Sequence, residues 1–478
     1  MLRDMSLLAE TTAATAPGAS LPGRRSAAPA VPTRRADAGP PESVSLPKTV
    51  RLFWIAALAA FGFSLIVMAL KRRAGLAATL WDPLSDPLLG DLLEYPGTYR
   101  LLHSANFFDN ARPGALPERM FSAVAYPPFA AAVLAPVYLW GSPLWNFLCA
   151  AAAFLAMVLW CVQRTLRKCG LSGLTATVFP LSLMLISFPI QRLVHQGNVE
   201  LVVWAFASAG VWAFMREKNE AAAGFWGLAA AMKLYPLLLL WLLLPRRAYR
   251  ALCVGAGVFV GVSWLSLWWL GPSITFAWKG SVRNVLGYQS LRAAEWSLRE
   301  LVANHSLFGL VKLGAAMGHV PQSRLMLPYY LCGASVIGWA FFARLWKMPV
   351  ANQLLAVTVC MLLLPSVSYY HTLVHLYAPL LVLICLAFRA QRTGVTIRGV
   401  KSTILLCVPL FAPYTTTTFP HIFVFCGLLQ SLVLVSLFIC ALEFPFTERQ
   451  NGETEASGGR TGQEISRHQV ASLSQADL

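Results

Sequence analysis

Runs of about twenty apolar residues recur along this chain with short polar links between them, and a helix of that length crosses the ~30 Å hydrocarbon core of a bilayer at ~1.5 Å per residue. Such blocks lie near 51–70, 126–140, 142–163, 172–190, 198–215, 221–244, 251–270, 325–345, 351–369, 372–389, 402–418 and 421–442. Of the 478 residues 57% are hydrophobic and only 12% charged, against about 25% charged in a typical soluble chain. Too few polar side chains remain to cover a water-facing surface, which excludes a soluble enzyme, a disordered protein and a secreted disulfide scaffold. Of the ten cysteines, nine sit inside apolar segments and Cys169 beside one, with no C-x-x-C pair. They read as small buried hydrophobes, and neither a metal nor a disulfide is indicated.

A net charge of +17 would suggest nucleic acid as the partner of a soluble protein. Here the basic residues lie mostly between apolar blocks, where a positive-inside topology accounts for them and no nucleic-acid partner is called for. The expected architecture is all-α, a polytopic integral membrane protein with about 12 transmembrane helices. Residues 1–47, rich in Ala, Pro, Ser and Arg, and residues 446–478, polar and poor in aromatics, read as disordered tails around a membrane domain at 48–445. Twelve crossings from a cytoplasmic N-terminus put Arg246, Arg247, Arg250, Arg344, Lys347, Arg389, Arg392, Arg398, Lys401 and Arg449 inside. Making the short block 126–140 re-entrant, with its opening Tyr126-Pro127-Pro128, puts all ten outside. The twelve-span arrangement leaves Lys71, Arg72, Arg73, Arg164, Arg167 and Lys168 outside and His195 to Glu200 on the cytoplasmic side. It sets both long connections, 71–125 and 271–324, on the non-cytoplasmic face, and loops of that length are usually functional. Short connections and the lack of a eukaryotic targeting signal point to a bacterial inner (plasma) membrane, with membrane lipids as the surroundings.

Carboxylates are few enough to locate chemistry. The 317 residues from 126 to 442 hold five, Glu200, Glu217, Glu220, Glu295 and Glu300, whereas the first long connection alone holds six, Asp82, Asp86, Asp91, Glu94, Asp109 and Glu118. Asp82 and Asp86 each precede a proline, a turn arrangement. Asp91 and Glu94, three apart in a short apolar stretch, would share one face of a helix lying in the interface, at the level of a lipid headgroup. A catalytic carboxylate and a capping or salt-bridging one both fit that spacing. The second connection carries Arg283, Arg292, Arg299 and Lys312 with Asn304-His305-Ser306, cations suited equally to a lipid-linked phosphate and to anionic headgroups. The Asn-His-Ser triplet also fits a glycosylation acceptor. Inside the blocks ionisable residues are expensive, which singles out Lys233, halfway along its block. His371 and His375, four apart, share a face if helical. Without a third ligand or a carboxylate in the blocks they are expected to hydrogen-bond a substrate or a neighbouring helix rather than a metal. Glu200, after His195-Gln196-Gly197-Asn198, opens a block, where a helix dipole favours a negative charge and capping is at least as good a reading as catalysis.

Five stretches, in order, carry a family resemblance. They are Asp91-Leu92-Leu93-Glu94-Tyr95, Tyr126-Pro127-Pro128-Phe129, Gly197-Asn198 with Gly227-Leu228-Ala229-Ala230-Ala231-Met232-Lys233-Leu234-Tyr235-Pro236, Asn304-His305-Ser306-Leu307, and Pro365-Ser366-Val367-Ser368-Tyr369-Tyr370-His371. Through them the chain resembles the polytopic glycosyltransferases of family 87 in the GT-C class, whose characterised members are polyprenol-phosphate-mannose-dependent α-1,2-mannosyltransferases. It departs from the family's pattern at Asn198 and His305, where Gln is commoner, at Thr372, where a second His often follows, and in a longer first connection. The resemblance implies a GT-C-like fold with a long first outer loop. It implies inverting transfer of a hexose, mannose by the family's habit, from a polyprenyl-phosphate donor to a hydroxyl of an acceptor glycan or glycolipid on the non-cytoplasmic face, without a cofactor. It makes Asp91 the general base and assigns substrate binding to Glu94, Tyr95, Tyr126, Lys233, Arg292, Asn304, His305, Ser306, Tyr370 and His371. Lys233, His371 and the arginines of the second connection are the available partners for the departing phosphate. A polytopic transporter or flippase and an envelope glycan polymerase are the competing readings of the same spans.

Overall fold

The computed structural model describes residues 44–73, 126–139, 142–270, 273–294, 304–318, 320, 322–411 and 424–447, and its regular elements there are all helical. Apart from three short ones, Gln322–Leu325, Leu345–Lys347 and Val408–Phe411, they are in chain order α1 (Lys48–Arg73), α2 (Pro128–Leu139), α3 (Pro143–Lys168), α4 (Gly173–Ile186), α5 (Phe188–Gln196), α6 (Glu200–Met215), α7 (Asn219–Met232), a 3-10 segment Tyr235–Leu243, α8 (Tyr249–Leu270), α9 (Ile274–Ala294), α10 (Leu307–Met317), α11 (Met326–Ala343), α12 (Val350–Leu363), a second long 3-10 segment Tyr370–Leu376, α13 (Tyr377–Thr393), α14 (Val400–Leu406) and α15 (Val424–Glu443). Four of the described helical stretches are long and apolar enough to cross a membrane, Pro143–Lys168, Tyr249–Leu270, Met326–Lys347 and Tyr370–Thr393, and α4 with α5 makes a fifth if the pair, bent by 61°, is one broken span. With the shorter apolar helices beside them, the protein is a polytopic membrane protein. The bend falls at Ser187, ahead of Pro189, which has no N–H to continue the helix, and the Ser187 hydroxyl accepts the Ile190 N–H to start α5 (3.4 Å).

Helix ends gather on a common face. The Val44 N–H ahead of α1 donates to Gly170 O just past α3 (3.0 Å), and Gln391 near the end of α13 donates to Ser45 O (3.3 Å). Arg246, after the first 3-10 segment, donates to Phe214 O at the end of α6 and to Asn219 Oδ1 at the start of α7 (both 3.1 Å). Arg344 past α11 donates to Leu442 O and Glu443 at the end of α15 (2.7 and 3.0 Å), and Asn352 at the start of α12 donates to Ala441 O and Phe444 O (2.8 and 2.7 Å). The Trp241 ring against Phe341 (5.2 Å) ties the Arg246 end to the Arg344 end, and the Arg398 guanidinium over Phe444 (5.3 Å) brings in the turn after α13. Nearly every described link on this face is basic, from Arg164, Arg167 and Lys168 through Arg216, Arg246 and Arg344 to Arg392 and Lys401.

Two expected crossings need correction. Block 221–244 does not run through as one helix: α7 leaves the basic face, the chain turns at Lys233, and the 3-10 segment returns to the same face at Arg246. The glycines fix this geometry, since a Cβ on Gly227 would lie 2.5 Å from Gly255 O and one on Gly255 would lie 2.7 Å from Leu240. Thus α7 and α8 run parallel in close contact, with the returning segment antiparallel between them and α12. Block 126–140 forms α2 of 12 residues, which starts beside Tyr126 against Lys233. It ends with Val137 O accepting from Asn146 Nδ2 near the start of α3 (2.9 Å), the end of α3 away from the basic face, so α2 does not carry the chain to that face. Arg164, Arg167 and Lys168 consequently lie with the other basic ends and not opposite them. Glu200, at the far end of α6, lies away from the basic ends with which it was expected to share a side.

Smaller boundaries also move. Residues 44–47, assigned to a tail, are packed, with Leu46 in the core. Phe446 is buried and its N–H donates to Asn352 Oδ1 (2.9 Å). Cys149, Cys253 and Cys332 are exposed rather than buried, at positions where an apolar thiol suits lipid as well as a core. The first long connection lies outside the described residues.

Candidate active site

At the far ends of α6 and α7 the backbone breaks in two places, and each break delivers a charge. Helix α5 ends on Gly197 in the left-handed region, φ 65°, which glycine occupies without steric cost. Asn198 Oδ1 then accepts the Glu200 N–H (2.9 Å), so the carboxylate starts α6 at the positive end of its dipole. Helix α7 stops at Met232 because Pro236 follows too closely for another α-turn, leaving Lys233 extended at φ −147°, ψ 135°. Helices of 16 and 14 residues reach about 24 and 21 Å from the basic face at 1.5 Å per residue, and so bring both residues to one level.

There Lys233 Nζ lies 2.5 Å from Glu200 Oε2 and His375 Nε2 2.6 Å from Glu200 Oε1. The Tyr235 hydroxyl donates to the same Oε1 and stands 3.3 Å from His375 Nε2. Burying one charge alone is prohibitive, and the three neighbours supply the counter-charge and hydrogen bonds that make this one tolerable. Glu200 has 0% side-chain exposure and Lys233 13%, so Lys233 is the member of the pair with exposed side-chain surface. Lys233 Nζ also lies 5.2 Å from the centre of the Tyr126 ring, within cation–π range. His371 is within electrostatic reach of both members of the pair. With its amide turned to satisfy both ends, Gln196 donates to His371 Nδ1 (3.2 Å) and accepts from Arg192 (3.2 and 3.3 Å). The two histidines do not share a helix face as expected: Tyr370–Leu376 is 3-10, and at three residues per turn a spacing of four rotates them about 120° apart.

Asn304, His305 and Ser306 form a second assembly, a clasp on the chain after α12. Asn304 Nδ2 donates to Ser366 O (3.3 Å), its Oδ1 accepts from the N–H of Ser306 (3.0 Å) and of Ser368 (2.9 Å), and Ser306 Oγ donates to Ser366 O (3.2 Å). The His305 N–H donates to Ser368 O (2.9 Å), and Ser431 Oγ of α15 donates to His305 O (2.9 Å). His305 Nε2 faces Ser368 Oγ (2.9 Å) and Thr372 Oγ1 (3.3 Å), while its buried Nδ1 has no partner among the described residues. Burial pushes this imidazole down to about 3. Asn304 is buried and fully engaged, so the triplet offers no glycosylation acceptor in the folded chain.

Of the residues singled out from sequence, the structure thus brings Tyr126, Lys233 and His371 together. Asn304, His305 and Ser306 sit in the clasp. Tyr370 is buried, with its ring against Phe188 at 5.0 Å. Arg292 falls in α9 with its side chain not among those described, and Asp91, Glu94 and Tyr95 lie outside the described residues. Sequence reasoning gave no site role to Tyr235, Gln196 or Arg192, expected His375 to hydrogen-bond a substrate or a neighbouring helix, and held capping at least as good a reading of Glu200 as catalysis. It also found no carboxylate for the histidines, yet Glu200 meets His375 directly. Among the described residues no three His, Cys, Asp or Glu side chains come together as a metal site. Chemically, a carboxylate with both oxygens engaged and no exposure cannot reach a bound hydroxyl, whereas the ammonium of a side chain that keeps some exposure can receive an anion.

The model of glycosyltransferase family 87 matches residues 125–368, which include Tyr126, Glu200, Lys233, Tyr235 and the clasp. No curated protein matches the chain.

Proposed function

The chain belongs to glycosyltransferase family 87 and is a membrane glycosyltransferase, and from that premise we propose that it moves a hexose, mannose in the first instance, from a polyprenyl phosphate to a hydroxyl of an acceptor glycan or glycolipid. The carrying observation is that the connection bearing Asp91 begins at the far end of α1 and ends at Tyr126, against Lys233. Both ends of that connection thus lie on the face of Lys233, which supports reading the base and the phosphate site as sharing it. Asp91 takes the acceptor proton as its oxygen attacks the anomeric carbon. The bond from that carbon to the phosphate oxygen breaks on the opposite side, and configuration inverts. Lys233 and His371 receive the lipid phosphate as its negative charge grows, with Tyr126, Glu94, Tyr95 and Arg292 completing the substrate surface. General base catalysis of this kind is worth about 10²- to 10⁴-fold. The Asn304 clasp and Tyr370 hold the 366–371 segment that carries His371.

The basic face is the cytoplasmic one in this reading, by the positive-inside rule, and the site faces the periplasm or exterior of a bacterial inner membrane. The chain makes twelve traverses in this reading, with α2 re-entrant and the α7 hairpin contributing two, in a membrane domain whose packed ends reach Leu46 and Phe446. The test offers the purified protein labelled polyprenyl-phosphate sugars in turn, with product identified by mass spectrometry. Addition of one sugar is expected, abolished in an Asp91→Asn protein that inserts normally. Lengthening of a repeat, flux of lipid without sugar transfer, or no product from any donor would each overturn the reading.

A further inference from the structure

Glu200 is the one carboxylate among the described residues with 0% exposure, and the proposed chemistry leaves it without a task. Its environment defines one. Oε2 holds Lys233 at 2.5 Å, and Oε1 accepts the Tyr235 hydroxyl and lies 2.6 Å from His375 Nε2. These three partners come from the turn after α7, the returning 3-10 segment and the second 3-10 segment, all elements without α-helical regularity where the side chains sit. A lysine on such a turn has many rotamers open to it. Its ion pair with the carboxylate holds Nζ toward Tyr126, and the carboxylate, anchored by its own helix start and by Asn198, is a fixed point.

We infer that Glu200 is a positioning residue of the transferase: it fixes the Lys233 ammonium toward the Tyr126 side as a preorganised receptor for the phosphate of the lipid-linked donor, and does not itself touch substrate. The inference rests on the reading of Lys233 as a phosphate partner. An ammonium already drawn to a carboxylate still offers other N–H donors, and holding it in place spares the donor the cost of ordering it. A role through Lys233 differs from a merely structural one in what it moves. Loss of fold lowers the amount of active enzyme at unchanged KM, whereas loss of positioning raises the KM for the donor.

A double-mutant cycle with a polyprenyl-phosphate sugar as the varied substrate tests this, on full-length protein normalised for folded material by size-exclusion profile in detergent. Lys233→Met and Glu200→Gln should each raise the donor KM at least 10-fold, about 1.4 kcal/mol, with the acceptor KM unchanged. Glu200→Gln should add nothing in the Lys233→Met background. Because the Glu200→Gln protein carries an uncompensated buried cation, the charge-neutral Glu200→Gln/Lys233→Met protein serves as the variant that folds if the single one does not. An unchanged donor KM in Lys233→Met overturns the phosphate-partner reading itself. A raised KM in Lys233→Met with an unchanged KM in Glu200→Gln, or fully additive effects, overturns the inference and leaves that reading standing.

Discussion

At the scale of single residues, the buried groups divide by whether their charge is matched. Lys233→Met leaves Glu200 with His375 and Tyr235 alone, and breaking a buried pair from one side typically costs about 3–5 kcal/mol, whereas removing both charges is often neutral. Melting in detergent should therefore show Lys233→Met well below the parent and the Glu200→Gln/Lys233→Met protein close to it. An equal loss in both would mean that packing, not charge, holds the cluster. His305 is a different case, a neutral group that burial holds at about 3. Between that value and the ordinary 6.5 the unfolded chain binds the proton and the folded chain does not, so this group's contribution is full above pH 6.5 and falls as pH falls. From pH 7 to 5 the loss is about 2 kcal/mol, and the melting temperature of a His305→Gln protein should depend less on pH over that window. Little of this was legible from sequence, because exposure is not written in a triplet: Asn304-His305-Ser306 fits an acceptor pattern as well as a substrate contact, and folds as a buried clasp. Glu200 and His375 are 175 residues apart, and no local spacing joins them.

At the scale of elements, hydropathy finds apolar blocks but carries no sign of direction. An apolar block of 24 residues from 221 to 244, interrupted only by the charge of Lys233, looks the same whether it crosses once or turns back. The turn was nonetheless signalled by Pro236 three residues after Lys233, since a proline disfavours helix in the residue before it and breaks the ladder behind it. Likewise Gly197, at a position needing φ of 65°, marked the start of α6, and Pro189 marked the bend between α4 and α5. What no pattern announced was the contact of Gly227 with Gly255 O. A Gly227→Ala methyl meets backbone there and cannot be accommodated by a side-chain swing. Overpacking of this kind costs about 1–3 kcal/mol, and because α7 carries Lys233 at its end, the melting temperature should fall and the donor KM rise together. A fall in stability alone would mean that the turn is decoupled from the helix.

For the whole molecule, the gathering of basic ends on one face changes the arrangement without changing the family or the polytopic architecture. Fusions of a reporter that works only in the cytoplasm should be active after Gly170, Lys218 and Gly394 and inactive after Val320. Inactivity after both Gly170 and Lys218 would restore the arrangement expected from block counting. The ion pair at the far ends of α6 and α7 also has a history in time. Lys233 follows Glu200 by 33 residues and Tyr235 by 35, so at about 5–20 residues per second the cation and the phenol emerge within seconds of the carboxylate, and the hairpin can enter the bilayer already neutralised. His375 arrives 175 residues behind Glu200, roughly 10 to 35 s at that rate of synthesis. For that interval the carboxylate waits half-dressed in the membrane, and the site is closed by one of the later parts of the chain to be made.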